Sequence, residues 1–211
     1  MTVLAERKTE YQTKMRTPDV LVYEELQGRK LYRKGYEQFL NHTKTIEEIM
    51  ATGKKQSLML NAIQTHLLRT HADKALTIMT GEIGIHISKN QNFSCDLVVF
   101  EDATLATLDI NQNYFEVPPK LIIEVDLQAD PTSININQYI LKKTRKLLQF
   151  GVEKVIWVFS DPPLISVATA KGTWTINEWD TPIELIDGHF VNLADLFRQK
   201  NIKFEPVESG M

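Results

Sequence analysis

The spacing of apolar residues changes period several times along the chain, and each change marks an element. Leu21-Val22-Tyr23 and Lys30-Leu31-Tyr32 flank a Gln27-Gly28 turn signal, which predicts a hairpin. Helical spacing follows at 43–50 and 54–70. In the second segment Leu58, Ala62 and Leu68, with Leu60, Ile63 and Leu67 beside them, form a broad apolar arc. Short runs rich in β-branched residues come next, at 75–79, 83–87 and 97–100, punctuated by Gly81, Gly84 and Asn90-Gln91-Asn92. A polar connection at about 101–117 leads to Leu121-Ile122-Ile123-Glu124-Val125, apolar at both alternate sets of positions, as in a strand buried on both faces. Asp130-Pro131-Thr132-Ser133 supplies helix-start chemistry for a helix that runs to about Phe150, where Gly151 stops it. Val155-Ile156-Trp157-Val158-Phe159 is a second doubly buried strand.

Strand, helix and strand within about 40 residues make a βαβ unit, so 121–125 and 155–159 should lie parallel with a right-handed crossover. Beyond it, 164–169, 173–179 and 183–186 read as a meander, and a last helix falls at about 193–199. The expected fold is α/β: a central mixed sheet flanked by helices, with an N-terminal hairpin and helices and a C-terminal meander plus helix. Polar residues 1–19 read as an arm, 20–200 as one domain and 201–211 as a tail.

Composition narrows the picture. Of the 211 residues, 43% are hydrophobic and 24% charged, the usage of a soluble globular chain. The longest apolar runs are about five residues, against the roughly 20 a membrane helix needs. Residues 1–8 contain no apolar core of signal-peptide length, so the expected location is the cytoplasm. Cys95 is the single cysteine, which excludes an internal disulfide and a multi-cysteine zinc site. Twenty-four basic against 27 acidic residues give a net charge of −3, so bulk charge does not advertise nucleic-acid binding.

Candidate chemistry lies in polar residues embedded in apolar patterns. Glu124 sits inside the most apolar strand of the chain, where an unpaired carboxylate would cost several kcal/mol; it must be protonated, ion-paired or metal-bound. Asp126, two residues on, projects from the same face if the strand continues. Asp96 opens a second apolar strand, Asp96-Leu97-Val98-Val99-Phe100. If these strands pair antiparallel with the acids opposed, their Cβ atoms lie within about 4.5–5.5 Å, close enough to share one hard cation. The other arrangement has Asp96 capping a loop and Glu124 paired with a basic neighbour. On the crossover helix, Ile136, Ile140, Leu147 and Phe150 form one stripe, and Lys143 falls within it. Such a lysine either snorkels to an edge or finds an anionic partner. Two carboxylates on adjacent strand ends and one inward lysine are the parts of a metal-dependent phosphodiesterase.

These residues resemble the PD-(D/E)XK restriction-endonuclease-like superfamily, and within it a bacterial branch of unassigned substrate. The matching stretches are Tyr23-Glu24-Glu25-Leu26-Gln27-Gly28, Asp96 to Phe100, Pro118-Pro119-Lys120 running into the 121–125 strand, Lys143 to Val158, and Asn192-Leu193-Ala194-Asp195-Leu196-Phe197. The resemblance implies a Mg²⁺-dependent endonuclease, with Mn²⁺ as a substitute ion, acting on nucleic acid and chiefly DNA, and a homodimer. Asp96 and Glu124 match the motif acids that hold the ion, with the Val125 carbonyl as a further ligand. The motif lysine two positions after the glutamate is absent, since Asp126 stands there. The branch instead carries a lysine eight residues before a Gly-Val pair, which here is Lys143. Glu24 matches a family glutamate that is a ligand or a structural partner, and Asp126 is left as an outer acceptor. The alternative is an endonuclease-like domain with weak or no catalysis that binds nucleic acid or protein.

Other signals are weak. His66 and His71 are five apart and off a common helix face, and His42, His86 and His189 lack sequence companions. Arg29-Lys30, Arg33-Lys34 and Lys54-Lys55 read as a solvated face more readily than as phosphate contacts, and Trp174 and Trp179 as packing. The glycosylation triplets at Asn41 and Asn92 are idle without a secretory signal. No glycine-rich phosphate loop is present.

Overall fold

The computed structural model of the chain describes residues 18–71, 74–127 and 135–203. Most of the expected arm and tail, and the tetrad 130–133, lie outside the described residues. The hairpin forms as expected, with β1 (Val22–Leu26) antiparallel to β2 (Arg29–Tyr32). Gln27 and Gly28, both at positive φ, turn it. Three helices follow: α1 (Tyr36–Leu40), α2 (Ile46–Met50) and α3 (Lys54–Thr70). The helix expected at 43–50 is shorter because Thr45 caps it. Glu48 N donates to Thr45 Oγ1 at 3.3 Å while Thr45 N donates to the Glu48 carboxylate at 2.7 Å.

The strands expected at 75–79 and 83–87 are one, β3 (Leu76–Ser88), interrupted by a bulge at Gly81-Glu82 where both residues adopt positive φ (116° and 55°). It pairs along its length with β4 (Gln91–Glu101). The polar connection after β4 holds a short helix, α4 (Asp102–Leu105). The predicted βαβ unit is present: β5 (Leu121–Val125) lies parallel to β6 (Lys154–Ser160), joined through α5 (Ile136–Phe150). Asn135 starts α5 by accepting from Gln138 N at 3.0 Å, and Gly151 at φ 120° ends it. Then β7 (Pro163–Thr169) and β8 (Trp174–Glu178) extend the sheet. The meander stops there. The segment at 183–186, β9 (Ile183–Ile186), leaves the sheet to pair with β10 (His189–Val191) ahead of α6 (Leu193–Gln199).

Among the described residues the large sheet has eight strands in the order β2-β1-β4-β5-β6-β7-β8, with β3 also on β4. Its two faces carry separate cores. On one, Met59, Ala62, Ile63 and Leu67 of α3 pack with Leu97, Ile123 and α6. On the other, Tyr139 and Leu147 of α5 pack with Val98, Ile122 and Trp157. The arc expected on α3 is rotated: Met59 is buried, whereas Leu58 and Leu68 are half exposed (50% and 51%). No helix of the described residues is long and apolar enough to cross a membrane.

One consequence of this order positions the site. With β3 along one edge of β4, the other edge must serve two strands in turn, β1 at Asn92 and β5 from Leu97 onward. Between those points, residues 93–96 of β4 face a fork in the sheet. Side chains complete the backbone bonding there.

Candidate active site

Glu24 on β1 reaches into the fork, where Ser94 N donates to its Oε1 at 3.1 Å. Lys143 enters from α5 and donates to Ser94 O at 2.7 Å and to Glu24 Oε1 at 2.6 Å. Tyr139, one helical turn earlier, donates its hydroxyl to Glu24 Oε2 at 2.6 Å. The Ser94 amide and carbonyl, which a strand would otherwise pair, are thus satisfied by an acid and a base.

The β4–β5 register brings Asp96 and Glu124 together. Leu97 pairs with Ile123 and Val98 with Ile122, so the next step sets Asp96 across from Glu124. Glu124 Oε1 lies 2.9 Å from Lys143 Nζ in an ion pair and, among the described residues, has no other polar partner. Asp96 Oδ2 accepts from Val125 N at 2.8 Å and from Gln56 Nε2 of α3 at 3.1 Å. Asp96, Glu124, Lys143 and Glu24 are each at most 4% exposed. Of the two arrangements the sequence left open, Lys143 takes the paired one; it does not snorkel.

Charge is unbalanced in this cluster. Three carboxylates against one ammonium leave a formal −2 in a buried space. Burial, reinforced by Asp96 and Glu24 and opposed by Lys143, pushes Glu124 up to about 8. Burial likewise raises Asp96 to about 6, against the pull of the Val125 amide, Lys143 and Gln56. Burial also opposes charge on Lys143, but Glu124 and Glu24 outweigh it and hold the ammonium well above its ordinary value. Glu24 is the closer of the two acids to that ammonium, by 2.6 Å against 2.9 Å.

Asp126 is not in this group. The strand ends at Val125, and Asp126 turns to φ 57°, so the alternation that would set it beside Glu124 no longer applies. Its carboxylate accepts from Ser160 N at 2.7 Å and Ser160 Oγ at 2.8 Å, tying the end of β5 to the end of β6. Asp126 N donates to Val158 O on β6. A trans peptide directs its carbonyl opposite to its N–H, so the Val125 carbonyl points away from β6, toward the fork.

Gln56 and Tyr139 join the site beyond the residues named from the sequence, although each carries the signal that marks Lys143. Gln56 is a polar residue three before Met59 and seven before Ile63 on the buried face of α3, and Tyr139 is four before Lys143 on α5. His189 does have a companion: its ring lies 4.2 Å from that of His71, because the β9–β10 hairpin folds back onto the end of α3. Among the described residues no three His, Cys, Asp or Glu side chains are grouped to hold a metal ion. Trp179 packs edge-on against Phe197, and Trp174 donates to Ser166 Oγ at 2.7 Å.

No protein-family model matches the sequence, and no curated protein matches it. In three dimensions the chain is similar to a crystal structure described as "a putative nuclease belonging to DUF820" from Anabaena variabilis ATCC 29413. The TM-score is 0.60, over 83% of this chain and 89% of that one, at 12% sequence identity. A likeness at that identity establishes the fold. The chain is a mixed α/β protein whose large central sheet, flanked by helices, matches a nuclease-like fold.

Proposed function

We propose that the protein is a metal-dependent nuclease that hydrolyses phosphodiester bonds of nucleic acid, with DNA as substrate and Mg²⁺, or Mn²⁺ in its place, as the ion. The observation that carries this reading is the opposition of Asp96 and Glu124 at the sheet fork, with Lys143 Nζ 2.9 Å from Glu124. A divalent ion would cancel the formal −2 of the cluster. The donor set suits a hard cation: among the described residues Glu124 Oε1 is buried with no polar partner beyond its ion pair to Lys143, and both bonds to Asp96 fall on Oδ2. Asp96, Glu124 and the Val125 carbonyl would hold the ion. Two carboxylates with further oxygens from solvent and substrate are what Mg²⁺ ordinarily takes, so a third acidic ligand is not required.

Such an ion polarises the phosphate and lowers the pKa of water bound to it. Lys143 would steady the charge that develops on the reacting phosphate, a role in which a fixed ammonium in a dry site is effective. Glu24 and Tyr139 would hold Lys143 in place, Gln56 would orient Asp96, and Asp126 would support the strand ends without touching the reaction. The test is cleavage of plasmid and linear DNA with and without Mg²⁺, by the wild type and Lys143→Ala. Metal-dependent cleavage that Lys143→Ala abolishes is expected; cleavage indifferent to both refutes the reading.

One observation favours a second reading, an endonuclease-like binding module without catalysis. The four central side chains are buried, and Lys143 already pairs with Glu24 and Glu124. Calorimetry separates the two: a module shows no saturable Mg²⁺ or Mn²⁺ binding that Glu124→Gln removes. The expected homodimer is tested by sedimentation velocity.

A further inference from the structure

A cavity of about 250 Å³ opens beside the acid cluster, and Glu24 and Ser94, both partners of Lys143, form part of its wall. Tyr23, Tyr114, Glu82 and Arg33 also line it, and Arg33 is the one cation among the lining residues. Its guanidinium stands over the Tyr23 ring at 5.4 Å and meets Glu82 end-on, Nη1 to Oε1 and Nη2 to Oε2, both at 2.8 Å. Both side chains are partly open to the cavity, at 12% and 33% exposure.

Two features set this pair apart from an ordinary surface ion pair. Glu82 is placed by the bulge in β3, and it holds a left-handed φ of 55° although it is not glycine, a local cost the rest of the fold must offset. Arg33 Nε is buried and makes no hydrogen bond among the described residues, so the guanidinium is not fully satisfied by Glu82. The bulge therefore delivers a carboxylate to an arginine that faces the fork. The pair is also electrostatically connected to the cluster, since Glu82 is among the groups that raise Asp96.

We infer that Arg33 is the anchor for a substrate phosphate, held in reserve by Glu82 and released to a phosphodiester that enters the cavity. The inference rests on the nuclease reading for its ligand class, nucleic acid. A guanidinium fork matches two phosphate oxygens as it matches two carboxylate oxygens, so one exchange replaces one bidentate contact by another. The cavity lies below the range of about 300–1,000 Å³ typical of drug-sized ligands, which suits one phosphodiester with its sugar.

Binding of fluorescently labelled single- and double-stranded oligodeoxynucleotides, followed by anisotropy with Ca²⁺ in place of Mg²⁺ and across a salt series, tests the inference. Arg33→Ala should weaken binding on the order of 10-fold and lower the salt slope by about 1, whereas Arg33→Lys, which keeps the charge but loses the bidentate fork, should weaken binding by several-fold and leave the slope near that of the wild type. Glu82→Gln, which removes the competitor, should tighten binding several-fold. Binding that ignores Arg33, or that Glu82→Gln weakens in step with Arg33→Ala, makes the pair a structural clasp and overturns the inference; so does the absence of any binding by the wild type. If Arg33→Ala does not fold, the Arg33→Lys and Glu82→Gln arms decide. Parallel cleavage assays keep the two readings apart. Cleavage indifferent to Arg33 removes this inference alone, whereas Arg33-dependent binding without cleavage removes the nuclease reading alone.

Discussion

Lys143 Nζ lies 2.6 Å from Glu24 Oε1, joining helix α5 to a strand 119 residues away in sequence, with neither side chain exposed to solvent. Removing one partner of such a pair strands the other in a dry site. Lys143→Met is therefore expected to lower stability by about 3–5 kcal/mol, and the double variant Glu24→Gln with Lys143→Met to recover most of that loss. Urea denaturation of the two singles and the double measures both effects. If the nuclease reading holds, Lys143→Met also lowers cleavage by about 10²–10³-fold, and the double variant recovers stability without recovering cleavage.

The metal-free protein should lose stability as pH rises. Glu124 titrates near 8 when folded against an ordinary 4.5, so the folded chain holds more protons than the unfolded chain between those values. That contribution is fully present below 4.5 and is lost as pH rises through 8; Asp96, raised from 3.8 to about 6, adds the same trend at lower pH. Denaturant midpoints in EDTA should fall between pH 6 and pH 9 in the wild type and change less in Glu124→Gln. Metal binding carries the opposite sign, because a ligand oxygen must be deprotonated: affinity for Mn²⁺ should rise from pH 6 to pH 8, with about one proton released per ion at pH 7. Calorimetry in buffers of differing ionisation enthalpy reads that proton directly.

Much of this arrangement is legible in the sequence, for reasons that differ by residue. Glu124 and Lys143 could be singled out because each interrupts a periodic apolar pattern, and an interruption of that kind needs a partner. The β5–α5–β6 unit was likewise legible, since two doubly apolar strands and an amphipathic helix admit one handed connection. What was not legible follows from pairing across distance. Nothing local says that β4 changes partner between Asn92 and Leu97, so the fork, and with it the role of Ser94, appears only in three dimensions. The left-handed turn at Asp126 hid for a related reason. A period-two argument presumes that the strand goes on, and Asp126 is where it stops.

Gly84 shows how tightly the connection after β4 is fastened beside the cavity. Phe115 N donates to Gly84 O and His86 N to Phe115 O, and Tyr114 lies flat against the glycine, so a Cβ at Gly84 would run into the Tyr114 ring. Gly84→Ala should lower stability by about 1–3 kcal/mol through overpacking. Combined with Tyr114→Ala, the same substitution should cost less than the two singles added together, because the clash is then absent. Thermal or denaturant unfolding of the three variants tests the coupling, and strict additivity would exclude the contact as its source.

Asp126 stands two residues after Glu124, and its hydrogen bonds direct it away from the acid cluster. Its two carboxylate oxygens are taken by Ser160 N and Ser160 Oγ, and its φ of 57° directs the side chain to the end of β6. Asp126→Ala should thus lower stability by about 1.5–3 kcal/mol, the scale of hydrogen bonds to a charged group, while Mn²⁺ affinity stays within about twofold of the wild type. Asp126→Lys, which places a lysine two residues after Glu124, should fail to restore cleavage to Lys143→Ala, because a side chain leaving the backbone at that φ points to Ser160. Rescue by Asp126→Lys would show instead that the turn after β5 can refold to present residue 126 to the fork.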